Sequence, residues 1–173
     1  MLGRNAYTSP KEKDWNKKIS EFIEEEDLAN WRFSQDGSPK NGSSISFMIT
    51  YEQKKYLFLA DSHPKPIVEY LTSKGMDKSN PMEIELFKVA HHGSKANTNR
   101  ELIELFKAKK YFISTDGTSD NHPNKRTLSR IVAFDNRANL YFNYTHIRDA
   151  VISQSDLDEY KINALVSNEL DFK

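Results

Sequence analysis

The segment IELFKVAHHGS, residues 84–94, is a short apolar run followed directly by two histidines, a glycine and a serine. Its apolar part is rich in residues that favour strands, and this predicts a strand over residues 84–90. The polar residues that follow predict a loop at the carboxyl end of that strand. Two adjacent imidazoles gain nothing from simple burial, so this loop is a candidate functional site.

Similar short runs lie on both sides of this segment and alternate with helical patterns. They predict strands at residues 45–50, 55–60, 84–90, 111–115 and 140–144. Apolar residues at helical spacing predict helices at residues 14–26, 66–74, 99–108 and 123–134, with Asp14 as the N-cap of the first. From residue 55 the order is β-α-β-α-β-α-β, which indicates an α/β fold with a mixed sheet and helices on one face. The residues after 145 are polar and weakly patterned.

The composition of the chain narrows the classes of function. Its 173 residues predict one domain of ordinary size, and 25 Lys and Arg balance 25 Asp and Glu. A net charge of zero argues against a protein that coats nucleic acid through a positive excess. The absence of cysteine excludes disulfides and thiol catalysis. Because we find no signal-peptide pattern and no apolar run of membrane-spanning length, we expect a cytoplasmic protein with no membrane partner.

Polar side chains follow three of the predicted strands at the point where each strand ends. Asp61 follows the second strand, His91 and His92 follow the third, and Asp116 and then His122 follow the fourth. The ligand crevice of an open α/β sheet lies at these carboxyl ends. Imidazole and carboxylate groups that converge there are the ligands that a Zn²⁺, Mn²⁺ or Fe site requires. The pattern therefore predicts a metal site at this edge of the sheet.

Other polar residues near these strand ends have ordinary interpretations as well as functional ones. Gly93 would let the backbone approach a ligand closely, and Ser94 would hydrogen-bond a phosphate oxygen. His122 also fits the start of a helix, His63 fits a solvated helix cap, and His146 fits a surface position. The sequence contains no P-loop, dinucleotide-binding or nucleophile-elbow motif. It therefore lacks the usual signatures of P-loop phosphate binding, of dinucleotide binding and of nucleophile-elbow hydrolysis.

Taken together, these residues resemble the C-terminal half of a metallo-β-lactamase-fold hydrolase. The nearest subgroup is related to the extracytoplasmic hydrolase domain of the DNA-uptake competence protein ComEC. Four stretches carry the resemblance in the family's order: NGSSISF at 41–47, YLFLAD at 56–61, FKVAHHGS at 87–94, and ISTDG at 113–117 with NHP at 121–123. The second stretch has Ala60 where the family has glycine. The resemblance covers residues 41–144, and the HHGS block is its most specific part.

The resemblance implies half of an αββα sandwich and a site with two divalent ions, Zn²⁺ or Mn²⁺. By analogy Asp61 bridges the two ions and His91 is a metal ligand. His92 or His122 contacts the scissile phosphate or completes the site, with Gly93 and Ser94 at the substrate. The implied activity is metal-dependent hydrolysis of a phosphodiester in a nucleic acid or nucleotide. We expect Asp61, His91 and His122 to lie within reach of a common centre.

The sequence departs from the family in one large respect. The family's first half supplies a His-x-His-x-Asp-His motif or its His-x-Asp-x-Asp-His variant, and here no histidine precedes His63. We therefore interpret residues 41–150 as the C-terminal half of the fold, residues 1–40 as a helix and linker, and residues 151–173 as a polar tail. Such a half would leave one face of its sheet open.

Three hypotheses remain for the function of this chain. The first is half of a metal-dependent hydrolase, which is a fragment of a longer protein or is completed by a separate N-terminal half or in a homo-oligomer. The second is a non-catalytic binding or assembly module that keeps the half-fold. The third is a different small α/β fold in which His91 and His92 bind one metal ion weakly. The first predicts that the isolated chain binds Zn²⁺ or Mn²⁺ weakly and has little phosphodiesterase activity.

Overall fold

A computed structural model describes residues 14–118 and 121–172 of the chain. The strands are β1 Phe47–Tyr51, β2 Lys54–Phe58, β3 Met82–Lys88, β4 Phe106–Ile113, β5 Asn139–Phe142 and β6 Asn163–Val166. The α-helices are α1 Ile19–Asp27, α2 Pro39–Gly42, α3 Pro64–Ser73, α4 Arg100–Ile103, α5 Lys125–Phe134, α6 Thr145–Val151 and α7 Gln154–Glu159. Short 3-10 turns occupy Asp14–Asn16 and Ala90–Gly93.

The six strands form one mixed sheet in the order β1-β2-β3-β4-β5-β6. Strands β1 and β2 are an antiparallel hairpin, and every later pair is parallel. The predicted α/β class is therefore confirmed. Because β2 to β6 run in the same direction, their carboxyl ends and the loops that follow them meet at one edge of the sheet.

The core lies between the sheet and a layer of helices. Helix α3 contacts α4, α4 contacts α5, and α5 contacts α1, so these helices follow one another along the layer. The aromatic side chains of Phe87, Phe106 and Tyr111 are fully buried beneath it, and the rings of Phe87 and Phe106 meet edge to face at 4.7 Å. Burial of large side chains of this kind contributes about 1.5–3 kcal/mol each.

Strand β1 of the hairpin carries an exposed apolar surface. Phe47, Ile49 and Tyr51 on β1 are 49%, 48% and 63% exposed, and all of β1 is solvent-accessible. The ring of Phe47 stacks on that of Phe58 at 5.1 Å, directly opposite it on β2. Solvated apolar side chains along an unprotected edge strand are unusual, because natural proteins blunt such edges with charge, proline or a covering segment.

The first predicted helix begins later than the pattern indicates. Helix α1 starts at Ile19, and Asp14 lies outside it. The carboxylate of Asp14 instead accepts hydrogen bonds from the backbone N–H groups of Lys125 at 2.8 Å and Arg126 at 3.3 Å. Asp14 therefore caps α5, which is distant in sequence, and the prediction that it caps its own helix was wrong.

The predicted helix at residues 99–108 is also corrected. Helix α4 ends at Ile103, and Phe106 already pairs with Met82 as part of β4. Phe106 and Ala108 are buried while Lys107 is exposed, which is strand alternation. Leu102, Ile103 and Phe106 fit a helical spacing by coincidence, so periodicity alone could not place the boundary.

The residues after 145 are ordered elements of the same domain. Helices α6 and α7 follow β5, and β6 then adds a sixth strand beside it. Ile147 and Val151 are buried, and so is Asp156 on α7. The weak apolar pattern of this segment arises because the fully buried residue of α7 is a carboxylate. Within the described residues, no helix has the length and apolar character needed to cross a membrane.

Candidate functional site

A polar cavity of about 440 Å³ opens where the loops after β3, β4 and β5 meet. It lies at the carboxyl edge of the sheet, as expected for a ligand crevice in this class of fold. Its lining residues are His91, His92, Ser114, Thr115, Asp116, His122, Asn143 and Tyr144. Side chains from three strand ends therefore share one cavity.

Three of the predicted site residues meet in this cavity. The ring centroids of His91 and His122 lie 5.0 Å apart, and those of His91 and His92 lie 6.2 Å apart. His122 is buried, His91 is partly buried and His92 is exposed. The three imidazoles thus span the cavity from its wall to solvent.

Asp61 lies at the same edge of the sheet but is not among the lining residues. Its backbone carbonyl accepts a hydrogen bond from Asn97 Nδ2 at 2.9 Å. Burial lowers the pKa of Lys88, and the negative charge of Asp61 partly offsets this effect. Asp61 is thereby next to the histidine loop, since the preceding carbonyl, that of Ala60, accepts from the His91 N–H at 2.8 Å.

Gly93 and Ser94 are packed beneath the cavity and do not line it. A Cβ on Gly93 would lie 2.7 Å from Pro123 Cβ, and the residue has a φ of +90°. The close neighbour of its backbone is therefore Pro123. Ser94 is buried, and its Oγ accepts a hydrogen bond from the Ala96 N–H at 3.2 Å. In this structure both residues shape the turn that carries His91.

The histidine loop has a strained backbone. His91 has a φ of 43° and His92 a φ of 54°, so two consecutive residues with side chains adopt the left-handed conformation. Each such residue costs about 1–2 kcal/mol. Ala60, which contacts this loop through its carbonyl, has a φ of 50°. Strained backbone conformations of this kind are frequent at functional sites, where contacts with the surrounding structure stabilise them.

His92 has a fixed orientation. Its Nδ1 lies 2.5 Å from the backbone carbonyl oxygen of Ser114. A carbonyl oxygen only accepts hydrogen bonds, so Nδ1 of His92 carries a proton and donates it. When this imidazole is neutral, Nε2 is therefore the nitrogen with the free electron pair.

Asp116 supplies the carboxylate of the cavity. Its Oδ1 accepts from the Thr118 backbone N–H at 3.0 Å and from the Thr118 hydroxyl at 2.7 Å. These hydrogen bonds lower the pKa of Asp116 below its usual value, and nearby His146 adds to the effect. His146 also donates from Nε2 to the Asp116 carbonyl at 3.2 Å. An ionised carboxylate is thus among the lining residues at neutral pH.

Two residues behind His91 were not predicted from the sequence. Asn97 Oδ1 lies 3.0 Å from His91 Nδ1, and Asp36 Oδ2 lies 3.8 Å from the same nitrogen. Burial raises the pKa of Asp36, but hydrogen bonds from the Asn41 side chain, the Ser38 N–H and the Asn97 side chain outweigh it and lower the pKa to about 2. No local pattern identifies Asp36, because its loop composition is that of an ordinary turn.

The described residues do not form a complete metal centre. Among residues 14–118 and 121–172, no group of three or more His, Asp or Glu side chains is arranged to hold a metal ion. The three imidazoles supply neighbouring nitrogen donors, but Asp61 lies outside the cavity they line. A two-metal centre therefore does not fit within this part of the chain alone.

Comparison of the chain with family models, with curated proteins and with solved structures found no match.

Proposed function

We propose that this chain is half of a metal-dependent hydrolase that acts on phosphodiesters and is active only when the missing histidine motif completes its site. The observation that carries the proposal is the cavity in which His91 and His92, from the loop after β3, meet His122, from the loop after β4. The left-handed backbone at His91 and His92 costs free energy, so the strained turn that holds these two imidazoles favours a functional role over a stabilising one.

The chain's own residues would bind and orient the substrate and move protons. With Nδ1 donating to a carbonyl, neutral His92 presents the electron pair of Nε2 as a proton acceptor. Asp116, whose pKa lies below its usual value, adds an ionised carboxylate to the lining of the cavity. In the complete site, bound divalent ions would supply a hydroxide at neutral pH and polarise the phosphoryl group.

The exposed surface of β1 supports the need for a second half. Its apolar side chains would be buried by a second layer, whether that layer is part of the same polypeptide or of another. The lack of a three-residue metal group in the described residues favours the alternative, a non-catalytic module that keeps the half-fold. The two candidates differ in whether a matched half restores activity.

Calorimetric titration with Zn²⁺ and Mn²⁺ and an assay on bis-p-nitrophenyl phosphate test the proposal. We expect weak metal binding and little turnover by the chain alone, because loss of even one partner of a metal ligand costs about 10–100-fold in affinity. Adding a half with the His-x-His-x-Asp-His motif should restore both. Asp61→Ala, His91→Ala and His122→Ala should abolish the restored activity, whereas Glu69→Gln, an exposed residue of α3 outside the lining residues, should retain it.

Two results would contradict the proposal. Robust turnover by the chain alone, abolished by Asp61→Ala, would show that the missing half is not needed. Inertness in the presence of a matched half that binds the chain would favour the non-catalytic module.

A further inference from the structure

The side chain of Asn97 is almost completely enclosed and contacts four groups. It belongs to a residue that is 1% exposed. Its Nδ2 donates to Asp36 Oδ2 at 3.1 Å and to the Asp61 carbonyl at 2.9 Å, and the Ser62 carbonyl lies 3.4 Å away. Its Oδ1 faces His91 Nδ1 at 3.0 Å.

These contacts fix which way the Asn97 amide points. Backbone carbonyls and an ionised carboxylate only accept hydrogen bonds, so the –NH₂ group must face Asp36, Asp61 and Ser62. The flipped amide would place Oδ1 against three oxygen atoms and lose every one of these hydrogen bonds. Oδ1 therefore faces His91, and because an amide oxygen only accepts, His91 Nδ1 must be the donor.

The hydrogen bonds of Asp36 stabilise this orientation of the Asn97 amide. Besides Asn97, its carboxylate accepts from Asn41 Nδ2 at 2.6 Å and from the Ser38 N–H at 2.8 Å. The Asp36 N–H in turn donates to the Ala96 carbonyl at 3.1 Å. The loop before β1 is thus joined to the loop that follows the paired histidines.

We propose that Asp36 and Asn97 are positioning residues that hold neutral His91 with its proton on Nδ1, leaving the electron pair of Nε2 for a ligand. A free histidine side chain in water favours the opposite tautomer, so the structure has to impose this one. The Ser114 carbonyl imposes the same tautomer on His92. Two consecutive imidazoles therefore present the same nitrogen as a donor atom.

This inference deepens the proposed function but does not depend on it. The tautomer of His91 follows from hydrogen bonds alone, whereas the use of Nε2 for a metal ion or proton rests on the proposed function. A measurement on the chain without metal or substrate therefore separates the two.

The test is a long-range ¹H–¹⁵N correlation spectrum of the ¹⁵N-labelled chain at about pH 8, above the usual histidine pKa of about 6.5. His91→Gln and His92→Gln assign the two imidazoles by loss of their signals. We expect both histidines to show a pyrrole-type Nδ1 and a pyridine-type Nε2. If the assigned His91 nitrogen shifts of the unsubstituted chain indicate a proton on Nε2, or an even mixture of tautomers, the inference is overturned.

Asn97→Leu keeps the approximate size of the side chain and removes its hydrogen bonds. We expect His91 to shift toward the Nε2–H tautomer while His92 keeps its Nδ1–H signal as an internal control. Zn²⁺ affinity should fall by about 10–100-fold relative to the unchanged chain. A folded Asn97→Leu chain with an unchanged His91 spectrum would contradict the role of Asn97. If that variant does not fold, Asp36→Asn, which removes the charge and replaces one accepting oxygen with a donating –NH₂ group, should still reduce the Nδ1–H population of His91.

Discussion

Replacing Asp156 on α7 tests whether the C-terminal segment is part of the core. Its carboxylate accepts from Lys125 Nζ at 2.6 Å, and the two side chains are 0% and 1% exposed. It also accepts from the Ile19 N–H at 2.8 Å and from the N–H and hydroxyl of Ser153 at 2.9 and 2.6 Å. One buried carboxylate thus joins α1, α5 and α7.

The size of the effect follows from what the substitution leaves behind. Asp156→Asn removes the negative charge and strands the buried ammonium of Lys125, and breaking a buried pair in this way costs about 3–5 kcal/mol. Lys125→Met should cost about 3 kcal/mol, at the lower end of that range, because Asp156 keeps its hydrogen bonds from Ile19 and Ser153. The double variant should be less destabilised than the sum of the two by about 1–3 kcal/mol, since it leaves no unpaired charge.

The assay is urea denaturation followed by circular dichroism at about pH 7, where carboxylates are ionised. Burial raises the pKa of Asp156, but hydrogen bonds from the Ile19 N–H, Lys125 and Ser153 lower it below its usual value. Glu69→Gln is the matched control, because Glu69 and Lys65 form an exposed pair at 4.0 Å and its loss should cost under about 0.5 kcal/mol. A loss below about 1 kcal/mol for Asp156→Asn, or strict additivity in the double variant, would refute the reasoning.

Three further substitutions test the site and its support by the same denaturation assay. Gly93→Ala should cost about 2–5 kcal/mol, from left-handed strain and from overlap with Pro123, and a neutral result would contradict that packing. Ala60→Gly should be neutral or stabilise by up to about 1 kcal/mol, because glycine relieves its positive φ, whereas a clear loss would mean that its methyl group is packed. Asp36→Asn should remove up to about 2.5 kcal/mol at neutral pH, because the pKa of Asp36 is about 2 in the folded chain and about 3.9 unfolded. That contribution to the free energy of unfolding is complete above about pH 4 and is lost as the pH falls through about 2. If the free energies of unfolding of the unchanged chain and of Asp36→Asn differ by the same amount at neutral and at acid pH, the prediction is contradicted.

The strands could be predicted because their residues alternate or run apolar over short lengths. The run at residues 84–90 is an example, since Phe87 and Val89 are fully buried on the helix side. The parallel order then brought His91, His92 and His122 to one cavity, as their positions after strands predict. The apolar pattern of each strand, and the alternation of strands with helices that favours parallel pairing, are both visible in a single sequence.

The supporting contacts could not be predicted, because they join residues that are far apart in the chain. Asp36 lies in a loop of ordinary turn composition, and nothing in it indicates a hydrogen bond to Asn97. Asp14 likewise fits the start of its own helix but caps α5. Asp156 has the pattern of a surface residue because its partner, Lys125, lies in another helix. Each of these contacts depends on tertiary packing, and the identity of a charged or polar residue does not indicate its distant partner.

Under the proposed function, the exposed surface of β1 and the three imidazoles of the cavity together restrict what can complete the site. Among the described strands β1 lies at the edge of the sheet, and a second copy could pair along it and bury Phe47 and Ile49, since an edge strand is a ready template for pairing. A second copy of residues 1–173 would not supply the histidine motif of the proposed function, because these residues contain no histidine before His63. Dimerisation without gain of metal affinity or activity is therefore the expected behaviour if only copies of this chain associate. Under the proposed function, a different segment that carries the motif would bury the surface and complete the site at the same time.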